Sequence, residues 1–203
     1  IAWIYPPYFP GQFPLSDVVS LPIGIDSVPQ ATNVLWDLYE SEAKLQEEVS
    51  EFIPLMIHSN PVNKMSTIGK HVVNSIDDVK GLKFRAAGGI VSDLLIAWGA
   101  TPMQIAPGDI FQSVEKGTID GYVFDYSGIK SFNLHEVTDN YMDMAVYLGP
   151  YYLMMNKNSF ENLPEDLQKI IMDNSTREAS LELAYIYESD ELEGLQLCVD
   201  SGG

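Results

Sequence analysis

Few side chains in these 203 residues are equipped to hold or transform a ligand, and Arg85 has the most specific setting. Eleven Lys and Arg residues stand against 29 Asp and Glu, so cations are scarce. Arg85 falls in an expected strand, Leu82-Lys83-Phe84-Arg85-Ala86, immediately before Gly88-Gly89 and the start of a helix. In open α/β sheets ligands lie beyond the carboxyl ends of strands, and a helix N-terminus there already favours an anion. A guanidinium at that point grips a carboxylate through two parallel hydrogen bonds, which fixes orientation as well as charge. The competing reading is a surface arginine paired with one of the many acids.

Catalytic chemistry finds little support. His58, His71 and His135 beside the single Cys198 have no zinc-type spacing, and one cysteine makes no internal disulfide. The G-x-G-x-x-G, phosphate-loop, G-x-S-x-G and H-E-x-x-H motifs are missing. Carboxylates are so numerous that pairs for acid–base work are available everywhere and favoured nowhere, so solvated surface is their expected role. No catalytic residue, metal or cofactor is expected. The alternative from another class is a small hydrolase or lyase using Asp120 or Asp125 with His58. Asn174-Ser175-Thr176 matches a glycosylation acceptor but falls inside an expected helix, where chance explains it.

The elements that must position Arg85 alternate with short connections. After the strand at 82–86 come a helix over Ile90 to Trp98, a strand over Pro102 to Ile105, a helix over Asp109 to Lys116 and a strand over Ile119 to Phe124. This βαβαβ order, punctuated by Gly88-Gly89, Gly99 and Gly117, implies a largely parallel sheet covered by helices. Upstream, Trp3 to Pro22 carries five prolines among aromatics and reads as a ring-lined loop. From Asp26-Ser27 one long helix is expected through Ala31, Val34, Leu35, Leu38, Leu45, Val49 and Phe52, then a strand over Ile53 to His58 and a polar crossover from Asn60 to Lys70. Downstream, a helix is expected over Ser127 to Val137, extended segments at 145–148 and 151–155, and a mostly helical stretch opened by Pro164 at its first position. The end, Leu195 to Gly203, reads as an unfinished tail.

Composition narrows the partners. With 46% apolar and 20% charged residues the chain suits a folded protein with a sizeable core. A formal charge of −18 repels nucleic acid and anionic membranes, so neither is an expected partner, and the acidity serves solubility. No apolar run approaches the roughly 20 residues that cross a bilayer. Ile1-Ala2-Trp3-Ile4-Tyr5 lacks a basic n-region and a cleavage site, so the signal of an exported protein is expected upstream of it.

Several motifs carry a resemblance. The run Asp77-Asp78-Val79-Lys80-Gly81-Leu82-Lys83-Phe84-Arg85-Ala86-Ala87-Gly88-Gly89 resembles the DLKGLKxRxxGG segment of the TRAP solute-binding (DctP-like) family. Trp98-Gly99-Ala100-Thr101-Pro102 is similar to its lGATP, and Gly117-Thr118-Ile119-Asp120-Gly121 to its G-x-(V/I)-D-G. Met155-Asn156-Lys157 with Leu163-Pro164-Glu165-Asp166-Leu167-Gln168-Lys169 is similar to its xxN(K)…LPxDLQK. Order and spacing agree over about residues 10 to 185.

The resemblance implies an α/β, two-lobed periplasmic binding protein of class II-like type, with a hinge and long connecting helices. Such a protein is an extracytoplasmic receptor that closes over a small organic acid in the periplasm, does no chemistry on it, and delivers it to the membrane subunits of a TRAP permease. The implied lobes are 1–62 with 150–190 and 63–149, leaving 191–203 as a truncated tail. Arg85 matches the family's carboxylate-binding arginine. Where many members carry an asparagine, three positions after the glycine of the VDG motif, this chain has Phe124, followed by Asp125 and Tyr126. Phe124 or Tyr126 would stack on an apolar or aromatic ligand; Asp125 either takes a hydroxyl or a cation or caps a helix. Tyr5, Phe9, Thr67 and Tyr151, with Tyr8 beside them, complete the expected ligand-binding set. Against the family the chain lacks its beginning, so the first strands and helices of the N-terminal lobe are expected outside it. A sensor domain passing occupancy to a kinase would share the pocket and differ in its partner.

Overall fold

The computed structural model describes residues 1–21 and 24–202, with Asp143 described by its backbone alone. In chain order its elements begin with β1 (Ala2–Ile4), α1 (Val28–Ser41), α2 (Ala43–Glu48), β2 (Phe52–Ser59), β3 (Asn63–Thr67), β4 (Lys83–Ala86), α3 (Gly89–Ala97) and β5 (Thr101–Gln104). They continue with α4 (Ile110–Glu115), β6 (Gly121–Phe124), α5 (Tyr126–Ser131), β7 (Asn140–Tyr147), β8 (Pro150–Asn156), α6 (Lys157–Glu161), α7 (Glu165–Asp173) and α8 (Arg177–Asp200). The chain divides into two units, Ile1–Asn60 with Leu148–Glu188 and Pro61–Tyr147 with Ser189–Gly203.

Unit one contains a three-stranded antiparallel sheet in the order β1-β8-β2. Alternation along the central strand β8 turns Tyr152 and Met154 into a core with Phe13, Val19, Leu35, Trp36, Val49 and Ile57. The buried Tyr152 hydroxyl meets Ser16 Oγ at 2.9 Å, and Ser16 donates from its backbone N and its Oγ to Glu48 at 3.0 and 2.5 Å. Burial pushes the Tyr152 phenol up to about 12. The pairing of β2 with β8 slips between Pro54 and Met56, beside a proline that has no N–H to donate to the ladder.

Three expectations in this unit change. The opening loop contains the short strand β1 and two 3-10 turns, Pro6–Tyr8 and Ser16–Ser20; its last proline, Pro22, lies outside the described residues. The long helix is two helices broken at Glu42, whose backbone is extended at φ −106° and ψ 99°, and Phe52 belongs to β2. A side chain beyond the break takes up carbonyls that end α1: Gln46 Nε2 donates to Tyr39 O at 2.8 Å and to Glu40 O at 3.3 Å. The stretch after Pro164 is likewise two helices. Asn174 and Ser175 side chains donate back to Ile170 O and Ile171 O, and Thr176 Oγ1 accepts from Ala179 N to start α8, so the glycosylation-like triplet sits at the break and not within a helix.

Unit two contains a five-stranded sheet in the order β5-β4-β6-β3-β7. β4 runs parallel to β5 and β6, whereas β3 is antiparallel to β6 and β7, so the sheet is mixed and not largely parallel. The difference comes from β3, which occupies the expected crossover: Asn63, Met65, Ser66 and Thr67 are buried because strands flank it on both sides. The expected helix over Ser127 to Val137 is α5 followed by a 3-10 turn at Leu134–Val137, with Asn133 at φ 54° between them. Residues 191–203, expected as a tail, continue α8 as far as Asp200; Cys198 enters the core formed by Ile110, Val114, Ile119, Tyr122, Tyr126, Ile129 and Leu134.

Gly121 shows why the Gly117–Gly121 motif has the residues it has. A Cβ there would lie 2.5 Å from Ser66 O and 2.6 Å from the Phe84 ring, because β6 is squeezed between β3 and β4. Asp120 Oδ2 accepts from Lys83 N at 2.8 Å and ties the same strand start to β4. Gly121→Ala is expected to cost about 1–3 kcal/mol in urea unfolding, and a loss below about 0.5 kcal/mol would show that the sheet yields freely.

His58, on β2 and 0% exposed, is the other sensitive position. Its Nδ1 lies 2.8 Å from Ser59 O, and since a carbonyl only accepts, Nδ1 carries the hydrogen and Nε2 is an acceptor. That Nε2 is buried with no hydrogen-bond partner. Burial lowers the imidazole to about 4. A folded pKa below the unfolded value of 6.5 gives stability that is full above pH 6.5 and is lost as pH falls through 4. The loss amounts to about 3 kcal/mol. Urea titrations at pH 7, 5.5 and 4 are expected to show this slope in the native chain and a flatter one in His58→Phe; equal slopes would remove His58 as its source.

Candidate functional site

Arg85 sits on β4 opposite Met103 of β5 and Tyr122 of β6, and is 1% exposed. Its Nε donates to Ile105 O at 2.9 Å and its Nη1 to Val123 O at 3.3 Å, carbonyls at or just beyond the ends of the flanking strands. The guanidinium carbon lies 5.0 Å from the centre of the Phe124 ring. Removing this charge from water is expensive, and oriented carbonyl dipoles with a ring face offset the cost while fixing the planar fork. The fork's orientation is therefore set by the sheet itself.

The next residues begin α5. Asp125 Oδ1 accepts from Gly128 N at 2.7 Å and from Ser127 Oγ at 2.6 Å, which makes it the helix cap. Tyr126, 3% exposed, packs in the core of unit two with Lys64 Nζ 4.4 Å from its ring centre. Lys64 also pairs with Glu191 Oε1 at 2.8 Å, while Glu191 Oε2 accepts from Ser127 N at 2.9 Å. Burial, with the Asp125 charge adding to it, raises the Glu191 carboxyl above its usual range. Thr67 stands apart from these groups: its hydroxyl donates to His71 O, and it borders a small cavity of about 40 Å³ beside Met65 and Met142.

Unit one assembles a different surface. Trp3, Tyr5, Tyr8, Phe9, Tyr151 and Tyr187 line an open groove of about 350 Å³. Tyr5, Phe9 and Tyr151, far apart in sequence, thus come together. Tyr5 lies against Gly149, where a Cβ would meet its ring at 2.4 Å, so the absence of a side chain there lets the ring settle. The Gly149 peptide is pinned by Asn60, whose Oδ1 accepts from Gly149 N at 2.7 Å and whose N donates to Gly149 O at 3.2 Å. His58 lies beneath, stacked between Tyr151 and Tyr187 at 5.4 Å from each, with Trp3 edge-on at 5.2 Å.

The residues of the enzyme alternative are each engaged locally. His58 is neutral within stacked rings, Asp125 caps a helix, and Asp120 binds Lys83 N with His71 Nε2 3.9 Å from its other oxygen. Among the described residues no three His, Cys, Asp or Glu gather in a way that could hold a metal, and no helix is long and apolar enough to cross a membrane. Sequence reasoning missed Tyr187, which arrives from α8 more than thirty residues beyond Tyr151 with no local feature to mark it. It also missed the two backbone carbonyls on Arg85, because any residue can supply one.

Three relatives bear on this geometry. A TRAP solute-binding protein from Rhodoferax ferrireducens T118, in complex with copurified benzoate, superposes with a TM-score of 0.91 at 27% identity over 99% of this chain and 63% of that one. A marine metagenome TRAP solute-binding protein specific for aromatic acid ligands, from an unidentified microbe and in complex with metahydroxyphenylacetate, gives 0.90 at 25% identity over 99% and 64%. A solute-binding protein of Chromohalobacter salexigens is 28% identical over 133 residues, 65% of this chain and 39% of that protein. The chain thus spans less than two thirds of each of these relatives. The family model of bacterial extracellular solute-binding protein family 7, DctP, matches residues 1–203. With the motifs around Arg85, Gly99 and Gly121 in place on a mixed α/β fold of that type, the chain belongs to the DctP family of extracellular solute-binding proteins.

Proposed function

We propose that this chain is the ligand-binding part of a TRAP-type solute receptor that captures a small organic acid and passes it to the membrane subunits of its permease. Its two units are read as the receptor's lobes, and the periplasm as its place of work. The observation that carries the proposal is Arg85, a buried guanidinium whose orientation is fixed by Ile105 O, Val123 O and the Phe124 ring. A carboxylate meeting such a fork finds its donors pre-aligned, which lowers the ordering cost of binding. The two solved relatives at 25% and 27% identity are in complex with acids of one carboxylate, metahydroxyphenylacetate and benzoate, in keeping with a single cationic anchor. A formal charge of −18 makes neutralisation of an anion by a sheltered arginine a local matter, since the rest of the chain repels anions.

Mass spectrometry of small molecules that copurify with the chain, followed by calorimetry with the acid found, is the direct test. Arg85→Ala is expected to weaken that acid by roughly 2–5 kcal/mol, about thirty- to several-thousand-fold. Arg85→Lys keeps the charge and loses the fork, so an intermediate loss is expected. Unchanged affinity in a variant that still melts cooperatively would place the anchor elsewhere.

A further inference from the structure

We infer that the ring-lined groove of unit one is a binding site for a planar aromatic ring, of the kind that an aromatic carboxylate carries and a polyhydroxylated acid lacks. The inference names the ligand class of the receptor proposed above and rests on that reading.

Four rings form a column with nearly parallel planes: Tyr187 on His58 at 19°, His58 on Tyr151 at 10°, and Tyr151 on Tyr5 at 20°. Two more close it edge-on, Trp3 against Tyr151 at 6.4 Å and 77°, and Tyr8 against Tyr5 at 5.2 Å and 71°. The rings that line the groove thus pack on one another both face to face and edge-on, the two arrangements in which a further aromatic ring packs well. About 350 Å³ is at the small end of ligand sites, enough for one ring with a short arm.

The chemistry missing from the lining is equally selective. Among the described residues that line the groove there is no carboxylate, amide or cationic side chain. A sugar acid carries several hydroxyls, each needing a directed partner once out of water; the lining offers them tyrosine hydroxyls and the Trp3 indole N–H alone, and each hydroxyl left without a partner costs roughly tenfold in affinity. The only ionisable ring in the column that titrates near neutrality in water, His58, faces Trp3, Tyr151 and Tyr187 and the Ser59 carbonyl, and it is neutral near pH 7. The column thus offers no positive charge, and what the groove attracts is a π face and not a carboxylate.

Calorimetry with benzoate, cyclohexanecarboxylate and glucuronate tests the class, since all three carry one carboxylate. Benzoate is expected to bind, cyclohexanecarboxylate to bind about tenfold more weakly for want of a π face, and glucuronate at least about a hundredfold more weakly. Tyr8→Leu, at the half-buried rim, is expected to bring the first two acids within about threefold of each other. Equal affinity for benzoate and cyclohexanecarboxylate, or preference for glucuronate, overturns the aromatic class and leaves the receptor reading intact. Failure of all three acids to bind overturns the receptor reading. Phenol, a ring without a carboxylate, then decides the groove by saturation-transfer NMR: a phenol signal that the native chain gives and Tyr8→Leu abolishes supports it, and no signal with the native chain overturns it.

Discussion

A charged group buried in a sheet must be held by something that does not move, and for Arg85 that something is the backbone of β5 and β6. Parallel strands end in the same direction, so β4, β5 and β6 deliver a guanidinium and two carbonyl-bearing strand ends to one edge of the sheet. The rest of unit two follows from keeping those strands close. Gly121 gives up its side chain to let β6 approach β4 and β3, and Asp120 fastens the start of β6 to Lys83. The family's motifs around these positions thus largely serve to bring these strand ends together around the guanidinium.

Unit one solves a different problem with apolar means. Its ring column is assembled from β1, the proline-rich turn after it, β2, β8 and α8, and the four stacked rings are a histidine and three tyrosines. Prolines at 6 and 7 hold the 3-10 turn that presents Tyr8, and Gly149 leaves room for Tyr5. The Tyr152 hydroxyl, buried in the core of this unit, is bonded to Ser16 Oγ.

What was legible in the sequence was whatever obeyed a short period. The β4–α3–β5–α4–β6 succession announces itself through alternating apolar strands, helical spacing and glycines at the turns. β3 does not, because Asn63, Lys64, Ser66 and Thr67 look like a polar loop and are buried only by strands that arrive from elsewhere in the chain. The break at Glu42 was hidden for the opposite reason: the apolar period continues across it, and the carbonyls it frees are taken up by Gln46, a side chain beyond it with no local signal of that role. Arg85 stood out in the sequence because cations are rare here, and Tyr5, Phe9 and Tyr151 as rings expected near a ligand; the structure brings those three to one groove. Tyr187 and Trp3 were not singled out, since a column of rings is a property of three-dimensional proximity.

The burial of Cys198 near the end of α8 has a practical corollary. Its thiol is 1% exposed in the core of unit two, and burial raises it above the ordinary thiol range. A chromogenic disulfide reagent reacts with thiolate that solvent can reach, so modification of this sole cysteine is gated by opening of that core. The molecule therefore carries an internal clock for fluctuations of one unit, readable without mutation or attached dye.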